Sequence, residues 1–313
     1  MADAVGNAPG RGIALKIVSV SLFMVMASLI KAASDEVPPG EAMFFRSLLA
    51  MPVILTWLAL RGELATGLRT SNPLGHFWRG LVGSTAMGLG FAGLGLLPLP
   101  EVTAIGYAAP LLTVVFAAMF LNEPVGVFRL STVGLGMVGV LIVLSPRLSA
   151  LSGGAVAPAE MLGAMVVLTG AAFAALAQVF VRRLVMSEHI AAIVFYFSVT
   201  STLLSLLTIP FGWVMPGNGA LAMLMIAGVF GGLGQIFLTS SYRQADASVV
   251  APFEYTSMLL ALGVGYFVFD EVPSAVMLGG AGLIVLAGVL IILRERALGL
   301  ERSRQRRAMT PQG

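Results

Sequence analysis

Apolar residues occur along this chain in ten long runs that are separated by short polar turns. The runs cover roughly residues 13–33, 41–60, 77–97, 102–121, 126–145, 159–181, 190–210, 219–241, 247–269 and 274–293. Each run approaches the roughly 20 residues that a helix needs to cross a hydrocarbon layer. The turns between them are rich in Pro, Gly, Asn, Asp and Ser, which end helices. The pattern predicts an all-α integral membrane protein with ten transmembrane helices.

Composition supports a membrane protein and removes several other classes. Hydrophobic residues make up 58% of the 313 residues and charged residues 11%, and the mean hydropathy is +0.96. The absence of cysteine excludes disulfides and thiolate metal sites. No P-loop motif is present, so the sequence does not predict an ATPase. We expect no cofactor, no metal and no enzymatic activity.

The Lys and Arg residues predict how the chain is oriented. If ten helices alternate, nearly all of them fall on one side, and only Lys31 and Arg147 fall on the other. Basic residues in short loops stay on the cytoplasmic side. Both termini are therefore predicted to be cytoplasmic, in a bacterial inner membrane. The basic pI of about 9.6 then reflects topology and contact with anionic lipid, not nucleic-acid binding.

The two halves of the chain resemble each other. "YAAPLLTVVFAAMFLNEP" (107–124) aligns without gaps with "YTSMLLALGVGYFVFDEV" (255–272). Five helices in each half, an odd number, predict inverted repeats, as in many secondary transporters. The predicted segments are an N-terminus (1–12), a first repeat (13–146), a periplasmic linker (147–158), a second repeat (159–293) and a basic cytoplasmic tail (294–313).

Three stretches resemble the drug/metabolite transporter superfamily, in its ten-helix EamA type. They are "EAMFFRSLLA", "LPLPEVTAIGYAAPLLTVVFAAMFLNEPV" and "DASVVAPFEYTSMLLALGVGYFVFDEVPS". The resemblance covers nearly the whole chain and implies a secondary active transporter of amino acids, their derivatives or vitamin-like metabolites. The alternatives are an intramembrane enzyme that modifies a lipid, and a scaffold or channel that does not transport. Such an enzyme would need clustered acids or histidines in the membrane, and the sequence shows none.

Ionisable residues inside predicted spans are the main site candidates, because burying a charge in a membrane is costly. Glu254 is the deepest acid and is predicted to bind substrate or a proton, or to form a structural ion pair. Arg46 has three interpretations: an ion pair with Glu101, direct contact with substrate, or a lipid-facing position. The second half has Phe197 at the position that corresponds to Arg46.

Polar and aromatic residues complete the predicted site. Gln178 and Gln235 are predicted either to hold a polar ligand or to join helices. Tyr107 and Tyr255 either line a cavity or pack as core. Near the periplasmic face of the membrane, ion pairs or gates are predicted for Lys31, Glu41 and Glu101. The expected partners are a small-molecule substrate, membrane lipid and a coupling proton, in a monomer or a homodimer.

Overall fold

The computed structural model describes residues 9–121, 127–148, 158–185, 187–244 and 251–309, and this part of the chain contains no strand. Its helices are α1 (Pro9–Ala33), α2 (Pro39–Leu60), α3 (Pro73–Leu96), α4 (Leu99–Gly106), α5 (Ala108–Leu121), α6 (Val127–Leu148), α7 (Pro158–Val185), α8 (Ile190–Leu206), α9 (Asn218–Gln244), α10 (Thr256–Phe269) and α11 (Ala275–Met309). Two 3-10 helices occupy Ile209–Phe211 and Ala251–Tyr255. The predicted all-α fold is confirmed. Most of the predicted linker, 149–157, lies outside the described residues.

The described helices account for the ten predicted spans. Five stretches are long and apolar enough to cross a membrane: Gly10–Ala33, Pro39–Leu60, Leu99–Phe120, Pro158–Val185 and Asn218–Ser241. Four shorter apolar stretches follow the same pattern: Leu130–Pro146, Ile190–Leu206, Phe253–Phe269 and Ala275–Ile291. The remaining span is α3, a helix of 24 residues. The chain is therefore a multi-pass membrane protein.

Two predicted spans are broken helices. The fourth divides into α4 and α5 at Tyr107, and the ninth is a 3-10 helix that passes into α10 after Tyr255. Pro110 explains the first break, because proline has no N–H to donate to the carbonyl of Gly106. The breaks occur at the two tyrosines that align between the halves. The last helix also continues beyond the apolar run, through the basic tail to Met309.

Helix packing follows the inverted repeat. The first half contains α1 to α6, and the second contains α7 to α11. Helix α1 packs along α9. The counterparts of these two helices in the other half are α7 and α3, and they also pack along each other. Helix α2 packs against its own counterpart α8, and α6 against α11. A contact between counterparts lies beside the pseudo-two-fold axis, so these pairs locate the axis and confirm the predicted repeats.

The bundle has two chemically different ends. We call the end that carries residues 34–38, 207–217 and 270–274 the acidic end, because Asp35, Glu36, Asp270 and Glu271 lie there. The opposite end, which carries residues 61–72 and 187–189, is the basic end. Contacts between the two halves occur at both ends, and they are described with the site.

Candidate functional site

The two aligned tyrosines meet inside the bundle. The ring centroids of Tyr107 and Tyr255 are 5.1 Å apart in an edge-to-face arrangement. The Tyr107 hydroxyl forms a hydrogen bond with Ser257 Oγ at 2.6 Å, and Ser257 Oγ donates to the backbone carbonyl of Glu254 at 2.6 Å. Tyr107 is buried and Tyr255 is half-buried. The structure thus brings Tyr107, Tyr255 and Glu254 together at the helix breaks, beside the pseudo-two-fold axis.

Glu254 forms an ion pair with Lys16 of α1. The Lys16 side chain is only 1% exposed, whereas that of Glu254 is 42% exposed. The pair joins the first half of the chain to the second. The Glu254 side chain stays partly exposed while it neutralises a buried ammonium group.

Arg46 does not contact Glu101, contrary to one of the interpretations from the sequence. Its guanidinium lies over the ring of Phe197, with Cζ 5.6 Å from the ring centroid. The residue is 2% exposed, which also excludes a lipid-facing position in this conformation. Arg46 is buried because it lies on α2, which packs against α8 and α9. Glu101 lies half-buried in the first turn of α4.

Arg79 of α3 also lies beside the ring of Phe197. Its Cζ lies 3.7 Å from the centroid of Phe197, and the residue is 8% exposed. In both arginines, Nε and Nη1 are buried and have no hydrogen-bond partner among the described residues. The region between α2, α3 and α8 therefore contains two buried guanidinium groups around one aromatic ring.

Lys31 joins the two halves at the acidic end. Its ammonium group is 2.9 Å from Glu271 Oε1 and donates to the carbonyls of Leu94 and Leu97 at 3.2 and 2.9 Å. Glu271 Oε2 also accepts from the backbone N–H of Leu99 at 2.9 Å. Glu271 is therefore not a solvated carboxylate at the membrane edge, because both of its oxygens have partners from the first half of the chain. A cleft of about 340 Å³ opens beside Lys31 and Phe269.

Glu41, which the sequence predicted to form an ion pair or a gate, makes a hydrogen bond to the backbone of the opposite half. The residue is 2% exposed, and its Oε2 accepts from the backbone N–H of Val214 at 3.1 Å. Glu36 likewise accepts from the N–H of Gly217. Both bonds join the loop or helix that follows α1 to the loop that precedes α9. Carboxylates at this end therefore hold backbone of the opposite half.

The two glutamines are not part of these clusters. Gln178 is exposed on α7, and Gln235 is half-buried on α9. Neither side chain makes a hydrogen bond within the described part of the chain. Their predicted role in ligand binding stays a prediction.

A hydrogen-bonded carboxylate connects the halves at the basic end. Glu188 accepts from Ser71 Oγ at 2.7 Å and from the Ser71 backbone N–H at 3.0 Å, and it lies 3.3 Å from His76 Nε2. Burial of the carboxyl opposes its ionisation, but the hydrogen bonds from Ser71 and His76 outweigh burial and lower the pKa of Glu188 to about 2. Glu188 is therefore an anion at neutral pH.

A family model gives this fold its identity. The model described as the EamA-like transporter family matches residues 10–145 and again residues 161–294. The chain belongs to this family. The double match agrees with the two repeats that the helix contacts show.

Curated relatives of this EamA chain are transporters and not enzymes. The S-adenosylmethionine uptake transporter of Rickettsia bellii is 29% identical over 90% of this chain and 97% of its own length. The pseudopaline exporter CntI of Pseudomonas aeruginosa is 31% identical over 90% of this chain and 95% of its own. A crystal structure of another protein shares the fold, with a TM-score of 0.65 and 21% identity over 92% of this chain and 99% of that one.

Sequence reasoning missed Lys16 and Arg79 as interior residues. It started the first and third helices at residues 13 and 77, whereas α1 begins at Pro9 and α3 at Pro73. Each basic residue therefore lies one turn further inside its helix than predicted. Proline is common in the first turn of a helix, so Pro9 and Pro73 were the signals that could have corrected both starts.

Proposed function

We propose that this EamA protein is a secondary active transporter that carries small metabolites across the bacterial inner membrane by alternating access. The observation that carries the proposal is the contact between Tyr107 and Tyr255 at paired helix breaks. In transporters built from inverted repeats, substrates bind near the midplane where broken helices of the two halves meet.

The proposed cargo is an amino acid, an amino-acid derivative or a vitamin-like compound. S-adenosylmethionine, the cargo named for one relative, is a derivative of the amino acid methionine. Tyr107, Tyr255 and Glu254 supply aromatic surface, a hydroxyl and a carboxylate to such a molecule, with Gln178 and Gln235 as further polar contacts. One relative is named for uptake and another for export, so we assign no direction.

Glu254 is the proposed proton-coupling group. Its side chain is half exposed and is paired with a buried lysine. Protonation would remove the charge that neutralises Lys16 and would favour rearrangement of α1 against the 3-10 helix. Proton binding and the position of the two halves are thereby linked through one contact.

The acidic end supplies the proposed gate. Lys31, Glu41 and Glu271 connect the first half of the chain to the second there. Alternating access requires such contacts to break when that end opens. Glu101, in the first turn of α4, is proposed to belong to the same gate.

Membrane orientation is tested separately, by reporter fusions. With both termini cytoplasmic, fusions after Arg61 and Arg183 and at the C-terminus should report cytoplasm. Fusions within residues 34–40 and 216–219 should report periplasm. A periplasmic C-terminus would contradict the proposed orientation.

Transport itself is tested in proteoliposomes. Purified protein would first be screened by thermal unfolding against a metabolite library that includes S-adenosylmethionine, since a ligand of the folded state raises the melting temperature. Each stabilising compound would then be measured in counterflow with a labelled form. Accumulation that requires the protein supports the proposal. Ligand binding without counterflow for any stabilising compound would favour a scaffold over a transporter.

A further inference from the structure

Two buried guanidinium groups lie beside one aromatic ring between α2, α3 and α8. The Cζ atoms of Arg46 and Arg79 are 5.6 and 3.7 Å from the centroid of Phe197. Because both distances end at the same ring, the two Cζ atoms are within about 9 Å of each other, a range at which like charges in a protein interior repel. Both arginines are more than nine-tenths buried.

Neither charge is neutralised by the described residues. An arginine stays protonated in proteins, so burial does not remove its charge. Within the described chain, no carboxylate forms an ion pair with either arginine, and Nε and Nη1 of both have no hydrogen-bond partner. Contact with Phe197 contributes a cation–π attraction, which is smaller than the cost of burying an uncompensated charge. The arrangement needs an anion.

Two glycines make room for these groups. A Cβ atom on Gly83 would lie 2.6 Å from Arg79 Nη1, and one on Gly231 would lie 2.9 Å from Arg46 Nε. Gly83 and Gly231 have the same separation in the sequence as Tyr107 and Tyr255, so they occupy equivalent positions in the two repeats. Only the first half supplies cations, because Ala227 has the same separation from Arg79, and Phe197, in the stretch "VFYFS", aligns with Arg46. The glycines that make space are therefore equivalent in the two repeats, whereas both charges come from the first repeat.

We propose that Arg46 and Arg79 together bind the carboxylate group of the transported metabolite. This inference rests on the proposed transport function and adds a substrate class to it. A guanidinium binds a carboxylate side-on through two parallel hydrogen bonds, with its Cζ roughly 4 Å from the carboxylate carbon. One carboxylate can accept such hydrogen bonds from both arginines when their Cζ atoms are roughly 8 Å apart, which lies within the limit of about 9 Å set by their shared contact with Phe197. Phe197 positions both arginines and contributes no hydrogen bond of its own.

Acetate is the simplest probe of this site, and acetamide is its uncharged match. Thermal unfolding of the purified protein would be followed at fixed ionic strength in millimolar acetate or acetamide. Acetate should raise the melting temperature in a saturable manner, because it binds the folded state. Acetamide should not. Equal effects of the two compounds, or no effect of acetate, would overturn the inference.

Arginine variants locate the effect. Arg79→Gln and Arg46→Gln should each abolish stabilisation by acetate. Arg46→Lys and Arg79→Lys keep the charge but lose the planar fork, so they should weaken acetate binding about tenfold. The control is Arg61→Gln, because Arg61 is exposed and lies 4.5 Å from the ring of Trp57 outside this cluster. If a glutamine variant does not fold, the lysine variants decide, and undiminished acetate binding in them contradicts the proposal.

Counterflow separates this inference from the proposed function. For a carboxylate-containing compound that the wild type carries, Arg46→Lys should impair transport nearly as much as Arg46→Ala. Full transport in both variants at normal protein levels would overturn the carboxylate site but leave the transporter intact. Acetate stabilisation that depends on both arginines, in a protein that carries no compound, would instead retain the anion site and reject transport.

Discussion

Buried charges in this protein differ in how they are neutralised. Glu188 and Lys16 each have a partner from the opposite half of the chain, and both therefore act as links between the halves. Arg46 and Arg79 lie against an aromatic ring instead. At the residue scale, neutralised charges are expected to affect stability, and the two arginines are expected to affect ligand binding.

Glu188 gives a stability prediction with a defined pH range. Its folded-state pKa is lowered to about 2 from the usual 4.5, so its contribution to stability is present above about pH 4.5 and is lost as the pH falls toward 2. Glu188→Gln should destabilise the protein at pH 7 by roughly 1–3 kcal/mol, because buried hydrogen bonds are weakened. The variant should also lose less stability than the wild type between pH 5 and pH 3.

The measurement for Glu188 is thermal unfolding in detergent across that pH range. Glu63→Gln is the control, because Glu63 lies at the same end with a side chain that is 36% exposed, 3.6 Å from His189. A partly exposed pair at this distance contributes less than the buried hydrogen bonds of Glu188. Equal pH profiles for Glu188→Gln and the wild type would show that the contacts of Glu188 with Ser71 and His76 do not stabilise the folded state.

Glu254 gives a prediction about coupling. Glu254→Gln keeps the shape of the side chain but cannot gain or lose a proton, so uptake should no longer respond to an imposed pH gradient. The protein should still fold and exchange substrate. The measurement is proteoliposome uptake with and without the gradient.

Asp270→Asn is the matched control for Glu254→Gln. Asp270 is exposed and has φ of 54°, a left-handed conformation that asparagine also adopts. This variant should keep the response of the wild type to the gradient. A wild type that ignores the gradient, or a Glu254→Gln variant that still responds to it, would leave Glu254 with a structural role only.

At the scale of elements, the hydrophobic pattern was sufficient for helix existence but not for helix ends. Apolar runs mark where a helix must contact lipid, whereas Pro9 and Pro73 start α1 and α3 in more polar sequence. Lys16 and Arg79 were therefore not predicted as interior residues. Pro110 in the sequence indicates the break at Tyr107. The contact of Tyr107 with Tyr255 depends on packing between the halves, which the periodicity of apolar residues does not encode.

The seam between α6 and α11 gives a prediction at this scale. A Cβ on Gly280 would lie 2.8 Å from the Gly139 carbonyl oxygen and 2.9 Å from the Val143 backbone nitrogen. These are backbone atoms, so Gly280→Ala must push the two helices apart, and we expect a loss of about 1–3 kcal/mol. The measurement is the melting temperature in detergent.

The neighbouring glycine supplies the control for this seam. A Cβ on Gly279 would meet no atom of another helix within 4 Å. Gly279→Ala should therefore leave stability unchanged or raise it by up to about 1 kcal/mol, since alanine favours helix. Equal melting temperatures for the two variants would contradict the close approach of α6 and α11.

For the whole molecule, the inverted repeat was readable from the sequence because Tyr107 and Tyr255 align without gaps. The contacts that hold the halves together could not be predicted from the sequence. Lys31 was predicted to form an ion pair or a gate, but its partner Glu271 is far away in the sequence and was not predicted. Their pairing depends on the swapped packing of α1 on α9 and α3 on α7, which brings the second half over the first. Ion pairs of this kind emerge only from the assembled fold.

The acidic end provides the final prediction, on alternating access. The chain contains no cysteine, so a Lys31→Cys/Glu271→Cys variant has only two thiols, at positions whose native side chains meet at 2.9 Å. A cleavable reagent that joins two thiols should hold this end closed and stop transport, because the substrate then reaches only one side of the membrane. Reduction of the linker should restore transport. Comparing the same variant before and after linking removes the effect of losing the ion pair, and each single-cysteine variant controls for the reagent. Full transport by the linked protein would show that this end does not open during the cycle.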